Sequence, residues 1–161
     1  MAGRTMKRML VLLALATVGL MASVPAAQAA IVTNETVSYA WSGFVPCAND
    51  GAGELVTGTI DVHNLITSTV NGNADTGQFQ FQPRGSLVGS ITGDTYQLTA
   101  VTRGTYNESL QSGVYTLTYV NTYKLIGPGA ENNVLVREIA HLTIDGDDVV
   151  VQHDDLSIHC T

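Results

Sequence analysis

The chain has 161 residues, a formal net charge of −7 and only two cysteines. Beyond residue 29 it keeps all fourteen acidic residues but only four of its seven basic ones, so this part carries a net charge of −10. Because surfaces that bind nucleic acid or anionic membranes need clustered Lys and Arg, neither partner is expected.

The first 29 residues have the pattern of a signal peptide. Three basic residues precede an apolar run from Met9 to Ala22, and Ala27 and Ala29 supply the small residues of a cleavage site. The apolar run is too short to span a membrane comfortably, and no other stretch is long enough. We therefore predict a signal peptide over residues 1–29, a single domain over 30–161, and a secreted or periplasmic location.

The remaining sequence is rich in Thr, Val, Tyr and Gly, and its apolar residues alternate with polar ones. This period of two is typical of half-buried β-strands. The strands are expected at residues 33–41, 54–70, 76–91, around 96–100, 114–126, 134–144 and 149–160, with turns between them at clusters of Gly, Asn and Asp.

The cysteines constrain the number of strands. In an exported protein, Cys47 and Cys160 are expected to form one disulfide, and in a meander they share an end of the sheet only if the strand count is odd. Residues 76–91 then form one strand with a bulge at Pro83-Arg84-Gly85. This predicts an all-β, antiparallel sandwich or flattened barrel of about seven long strands. The alternative, with that segment divided, is an eight-stranded up-and-down barrel.

The last hairpin contains two carboxylates on one face. With a three-residue loop, Gly146 to Asp148, Ile144 lies opposite Val150 and Leu142 opposite Gln152. Glu138 and Asp154 are then diagonal neighbours, which is the arrangement of a general acid and base in a hydrolase. The alternative is that each carboxylate is solvated or bonds to a neighbouring Tyr or backbone N–H.

The other face of the same hairpin places His141 opposite His153, with Asp155 nearby. Imidazole and carboxylate groups on adjacent strands can bind zinc or copper. A pair of neutral surface histidines is the alternative, and no cofactor is expected.

An aromatic stripe follows one strand at every fourth residue. Tyr115, Tyr119 and Tyr123 share a face and, with Trp41, are candidates to line a ligand cavity or stack on sugar rings. The alternative is that these rings pack in the core and leave their hydroxyls in water.

Three segments carry a resemblance to a known group of proteins. The sequence from Phe44 to Glu54, the stretch Phe79–Pro83 and the turn from Gly127 to Asn133, with a cysteine near the C-terminus, resemble small uncharacterised secreted bacterial proteins. This resemblance implies bacterial export and an all-β fold, and it implies no activity.

No sequence signature of catalysis is present, so an enzyme is the less favoured interpretation. The leading hypothesis is a non-catalytic binding or envelope-associated module for a small molecule, glycan or protein. A carboxylate-dependent hydrolase and a structural surface or matrix component are the alternatives, and the oligomeric state is left open.

Overall fold

The structure, a computed structural model, describes residues 30–129, 132–146 and 148–161. The predicted signal peptide lies outside these residues. The described part of the chain is 78% strand, and its elements are β1 (Ile31–Val45), β2 (Glu54–Asn71), β3 (Ala74–Gly89), β4 (Thr95–Ser109), β5 (Tyr115–Ile126), β6 (Val134–Asp145) and β7 (Asp148–Cys160).

All seven strands belong to one sheet, in the order in which they follow along the chain. Each strand is antiparallel to the next, as short connections require. The predicted all-β, antiparallel fold of seven long strands is confirmed, and the sheet is not closed. Within the described ranges no helix is long and apolar enough to cross a membrane.

The predicted disulfide between Cys47 and Cys160 is also confirmed, and it shows that the sheet is curled. In a flat sheet the first and seventh strands would be separated by roughly 29 Å, because neighbouring strands lie about 4.8 Å apart. The Cα atoms of the two cysteines are only 5.6 Å apart. The sheet therefore bends round until its two ends meet at the disulfide.

The curl is also staggered along the strands. If the cross-strand partners are followed from one strand to the next, starting at Cys160 in β7, the partner reached in β1 is Tyr39. The disulfide partner of Cys160, however, is Cys47, which lies eight residues further along the chain. A stagger of this kind accompanies strands that are tilted relative to the axis of the curl, as in β-barrels.

The two faces of the sheet differ sharply in composition. The face that we call the inner face carries the buried core near the disulfide, including Ile60, Leu87, Tyr96, Leu125 and Val136. The opposite face, the outer face, is dominated by Thr, Gln, Ser and charged residues. The period-two alternation in the sequence is therefore the consequence of one face being packed and the other being solvated.

One charged side chain, Glu54, lies inside the core with only 1% of its surface exposed. Its carboxylate accepts hydrogen bonds from the backbone N–H groups of Ile91 and Thr92 at 3.0 and 3.1 Å. The hydroxyls of Thr92 and Tyr96 donate two more, at 2.7 and 3.0 Å. Glu54 thus joins the start of β2 to the turn between β3 and β4.

The strand β3 is continuous, as predicted from the requirement that the two cysteines share an end of the sheet. The prediction of a bulge at Pro83-Arg84-Gly85 is wrong. Phe81 pairs with Thr102 and Arg84 pairs with Thr99, so neither strand has an extra residue between these pairs. The ladder to β4 is interrupted at Gln82 and Pro83 only. Proline has no N–H to donate, which accounts for the gap without a change of register.

The predicted three-residue loop in the last hairpin is also wrong. Asp145 pairs directly with Asp148, Ile144 with Val149 and Leu142 with Val151. A β-bulge then restores the predicted register, because His141 pairs with His153. From that point to the disulfide, the facing of β6 and β7 is as the sequence predicted.

Candidate functional site

The aromatic residues are concentrated on the inner face. Of the ten Phe, Trp and Tyr residues in the chain, nine lie on this face and only Phe44 lies on the other. The predicted stripe of Tyr115, Tyr119 and Tyr123 is among them, as is Trp41. Trp41 and Tyr123 pack against the buried core, whereas Tyr115 and Tyr119 lie toward the end of the sheet away from the disulfide.

Glu138 is the centre of a polar network on this face. The hydroxyl of Tyr119 donates a hydrogen bond of 2.6 Å to its Oε1, and the amide of Asn121 donates one of 3.4 Å to its Oε2. The hydroxyl of Thr102 donates in turn to Asn121 Oδ1 at 3.0 Å. The network therefore runs across three strands, β4, β5 and β6, and holds the carboxylate in a fixed orientation.

The network changes the acidity of its tyrosines. The hydrogen bond to Glu138, burial, and the negative charges of Glu138 and Asp154 raise the pKa of Tyr119 to about 12. Burial and the charge of Glu138 also raise the pKa of Tyr123. Both hydroxyls stay protonated at neutral pH, and that of Tyr119 donates to Glu138.

Asp154 lies on the same inner face but in a different environment. It pairs with Ala140 on β6 and is therefore a diagonal neighbour of Glu138, as the sequence predicted. Its side chain is exposed on the edge strand β7, whereas Glu138 is half-buried. The structure thus places the two proposed catalytic carboxylates on one face, and the hydrolase stays a prediction.

A second group of carboxylates and tyrosines lies at the end of the sheet away from the disulfide. Asp75 and Glu108 are direct cross-strand partners, although like charges opposite one another are unfavourable. Next to them, the rings of Tyr106 and Tyr115 stack with centroids 5.9 Å apart. Burial, with the neighbouring Tyr106, Glu108 and Asp75, raises the pKa of Tyr115.

The formal charges are divided between the two faces. The inner face carries six carboxylates and no basic side chain among the described residues. All four basic residues of the described chain lie on the outer face, and they are Arg84, Arg103, Lys124 and Arg137. The carboxylates of the inner face are Glu35, Glu54, Asp75, Glu108, Glu138 and Asp154.

The predicted metal ligands lie on the outer face. His141 is directly opposite His153, and Asp155 is two residues further along β7. The ring Nδ1 of His141 lies 2.6 Å from the hydroxyl oxygen of Thr118. Across the described ranges, no three or more His, Cys, Asp or Glu side chains are grouped so that they could hold a metal ion.

The outer face also has a shallow depression of about 450 Å³, which no sequence pattern had indicated. Its polar lining is formed by hydroxyls, amides and one guanidinium, from Thr67, Gln78, Gln80, Arg103, Thr105 and Thr118. The only signal in the sequence was the alternation of Thr and Gln along β2, β3 and β4, which is equally typical of any solvated sheet face.

Two other features of the inner face were missed. The position of Glu54 could have been read from its parity, since Glu54 has the same parity as Val56 and Ile60. The division of charge between the two faces could not be predicted from the individual strands. It requires the cross-strand pairing of all seven strands, which determines the residues that share a face. No protein-family model, curated protein or solved structure matches this chain.

Proposed function

We propose that this chain is a non-catalytic binding module that works outside the cytoplasm and binds a cationic, partly apolar ligand on its inner face. The observation that carries the proposal is the division of charge, because the inner face has five carboxylates besides the buried Glu54, and no basic group, among the described residues. An anionic ligand would be repelled from this surface, and a cationic ligand would be attracted to it.

The aromatic side chains add a second reason for a cationic ligand. A cation over the face of a Tyr or Trp ring is attracted by the ring, by about 0.5–1 kcal/mol at exposed sites and more where water is excluded. Tyr119 and Glu138 are held together by a hydrogen bond of 2.6 Å. A ring and a carboxylate that are fixed side by side offer both interactions to one cation.

The location is supported by two independent features. Disulfides persist mainly in oxidising compartments outside the cytoplasm, and Cys47 and Cys160 form one. The first 29 residues have the charge and hydropathy pattern of an export signal.

The proposal is tested with phenyltrimethylammonium as the cationic probe, benzyl alcohol as the neutral one and benzoate as the anionic one. Titration calorimetry is expected to give at least tenfold tighter binding of the cation than of the neutral compound, and no binding of benzoate. Equal binding of the cation and benzyl alcohol would contradict the proposal.

Two variants locate the site. Glu138→Gln removes the charge from the network, and we expect it to weaken binding of the cation at least fivefold. Asp155→Asn is the matched control, because it removes one negative charge from the exposed outer side of β7. If both variants weaken binding equally, the cation responds to net charge alone and the inner face is not its site.

A further inference from the structure

β1 and β7 are the two edge strands of the sheet, and the disulfide joins them at their C-terminal ends. There the Cα atoms of Cys47 and Cys160 are 5.6 Å apart, which is about the spacing of two adjacent strands. In the described part of the chain, however, no backbone hydrogen bond joins β1 to β7. Within the described residues the two edges are therefore unpaired beyond the disulfide, and we call the space between them the seam.

The direction of the strands decides what can fill the seam. β1 and β7 run in the same direction, because each strand is antiparallel to the next and the chain reverses an even number of times between the first strand and the seventh. One added strand that runs the opposite way is antiparallel to both edges, so it can form the more stable type of ladder on each side. The seam is thus suited to a single extended segment.

The side chains that border the seam are apolar and uncovered. On the inner side of β1, Val37 and Tyr39 are 42% and 48% exposed, and on the inner side of β7, Leu156 and Ile158 are 56% and 49% exposed. Proteins usually protect such edges with Lys or Pro. Neither β1 nor β7 contains Lys, Arg or Pro.

Among the described side chains on the inner side of these edges, the charged ones are acidic. Glu35 on β1 and Asp154 on β7 both face inward. Inward-facing charges oppose pairing with an edge that carries the same sign. A second copy of this chain would bring the same carboxylates to the seam, whereas a segment with basic residues would neutralise them.

We propose that the seam binds an extended, basic segment of a partner protein, which adds to the sheet as an eighth strand. Its inward side chains alternate between apolar residues, which cover Tyr39, Leu156 and Ile158, and Lys or Arg, which pair with Glu35 and Asp154. The backbone of the segment bonds to β1 on one side and to β7 on the other, as in other β-strand additions. This inference rests on the proposed function, since it names the class of cationic ligand.

The test uses a dye-labelled synthetic peptide of about nine residues, with Thr at odd positions and Lys and Val alternating at even positions. The protein is the disulfide-bonded chain from residue 30. Fluorescence anisotropy is expected to show saturable binding, and hydrogen exchange is expected to slow at amides of both β1 and β7. Protection of one edge alone would overturn insertion between the two.

Two control peptides separate charge from strand formation. Replacing each Lys with Glu is expected to weaken binding at least thirtyfold. Methylating the backbone nitrogens along one edge keeps the charge but removes the donors of a strand, and is expected to weaken binding at least tenfold. If the methylated peptide binds as well as the parent, strand addition is wrong.

Matched protein variants then place the peptide. Asp154→Asn is expected to weaken binding about fivefold, whereas Asp155→Asn, one residue away on the outer face, changes it less than twofold. Leu156→Ser is expected to weaken binding about tenfold, with a circular dichroism spectrum that shows the fold is retained. Equal effects of Asp154→Asn and Asp155→Asn would overturn the assignment to the inner side of the seam.

The outcomes distinguish the two proposals. Binding of phenyltrimethylammonium without binding of the peptide leaves the proposed function standing and removes the eighth strand. Failure of both probes removes both proposals. A concentration-dependent dimer in sedimentation that protects β1 and β7 would identify a second copy as the occupant and overturn the basic partner.

Discussion

The carboxylate of Glu54 fills the space that a side chain at position 89 would need. A Cβ atom built on Gly89 would lie 2.5 Å from both carboxylate oxygens of Glu54, so the two residues are complementary in the core. Gly89 is the last residue of β3, and Glu54 is the first residue of β2. The glycine therefore allows a buried anion to reach the turn that follows.

We expect Gly89→Ala to destabilise the protein by about 1–3 kcal/mol, because the added methyl group overpacks the core and displaces the carboxylate from its donors. The measurement is urea unfolding at neutral pH. Ser90→Ala, at the exposed neighbouring position, is the control and is expected to change the free energy of unfolding by less than about 0.5 kcal/mol. Equal effects at the two positions would contradict the complementarity of Gly89 and Glu54.

The second prediction concerns acid stability. Burial raises the pKa of Glu54, but the hydrogen bonds from Thr92, Ile91 and Tyr96 outweigh burial and lower it to about 2. A group whose pKa is lower in the folded state stabilises the fold above its unfolded pKa, near 4.5, and loses this effect as the pH falls toward 2. The free energy of unfolding should therefore decline across this range.

Glu54→Gln isolates this contribution. At pH 7 we expect the variant to be less stable by about 3 kcal/mol, because an amide cannot accept all the hydrogen bonds of the carboxylate. Its difference from the wild type should narrow as the pH falls from 4.5 toward 2. Urea unfolding at several pH values measures both effects, and a constant difference across the range would show that Glu54 is not the titrating group.

The parts of the fold that could be predicted from sequence depend on local patterns. Alternation of apolar residues gave the strands, and the parity of Cys47 and Cys160 decided between seven strands and eight. The seven-strand count was confirmed because β3 runs unbroken from Ala74 to Gly89 and pairs with β2 through Pro83. These features involve neighbours in sequence or a single covalent link.

The features that could not be predicted are those for which the sequence is compatible with more than one local geometry. The segment Asp145-Gly146-Asp147-Asp148 is compatible with hairpin loops of two or three residues. Because a bulge further along β7 shifts the register by one residue, the pairing near the disulfide is the same as that predicted for the three-residue loop. Pro83 likewise permits either a bulge or a gap in the ladder. The candidate site was found in part: Glu138 and Tyr119 were each singled out, but their hydrogen bond requires the register of β5 and β6.

The third prediction concerns the acidity of Tyr119. Because its hydroxyl donates to Glu138, its pKa is raised to about 12, and removing the charge should bring it back toward 10. We expect Glu138→Gln to shift Tyr119 and, through the lost charge, Tyr123 to lower pKa in an ultraviolet titration, and Tyr119→Phe to remove the first of these from the curve. Tyr96, whose pKa burial and Glu54 raise to about 12, should not move and serves as the internal reference.

The same pair predicts the alkaline limit of stability. A tyrosine whose pKa is higher in the folded state stabilises the fold fully below its unfolded pKa, and loses this effect as the pH rises through the folded value. Tyr119→Phe should therefore reduce the dependence of unfolding on pH between 10 and 12. An unchanged dependence in this variant would assign the effect to the other tyrosines with raised pKa values, which are Tyr96, Tyr115 and Tyr123.

The fourth prediction concerns the disulfide, which holds the two edges of the sheet together across a separation of 113 residues. Closing so long a loop stabilises the fold by about 4–5 kcal/mol in the chain-entropy model. We expect the Cys47→Ser, Cys160→Ser double variant to lose stability of this order in urea unfolding. Hydrogen exchange should rise first in β1 and β7, because no backbone hydrogen bond joins these strands in the described residues. If exchange instead rises evenly over all seven strands, packing across the inner face holds the two edges together in addition to the disulfide.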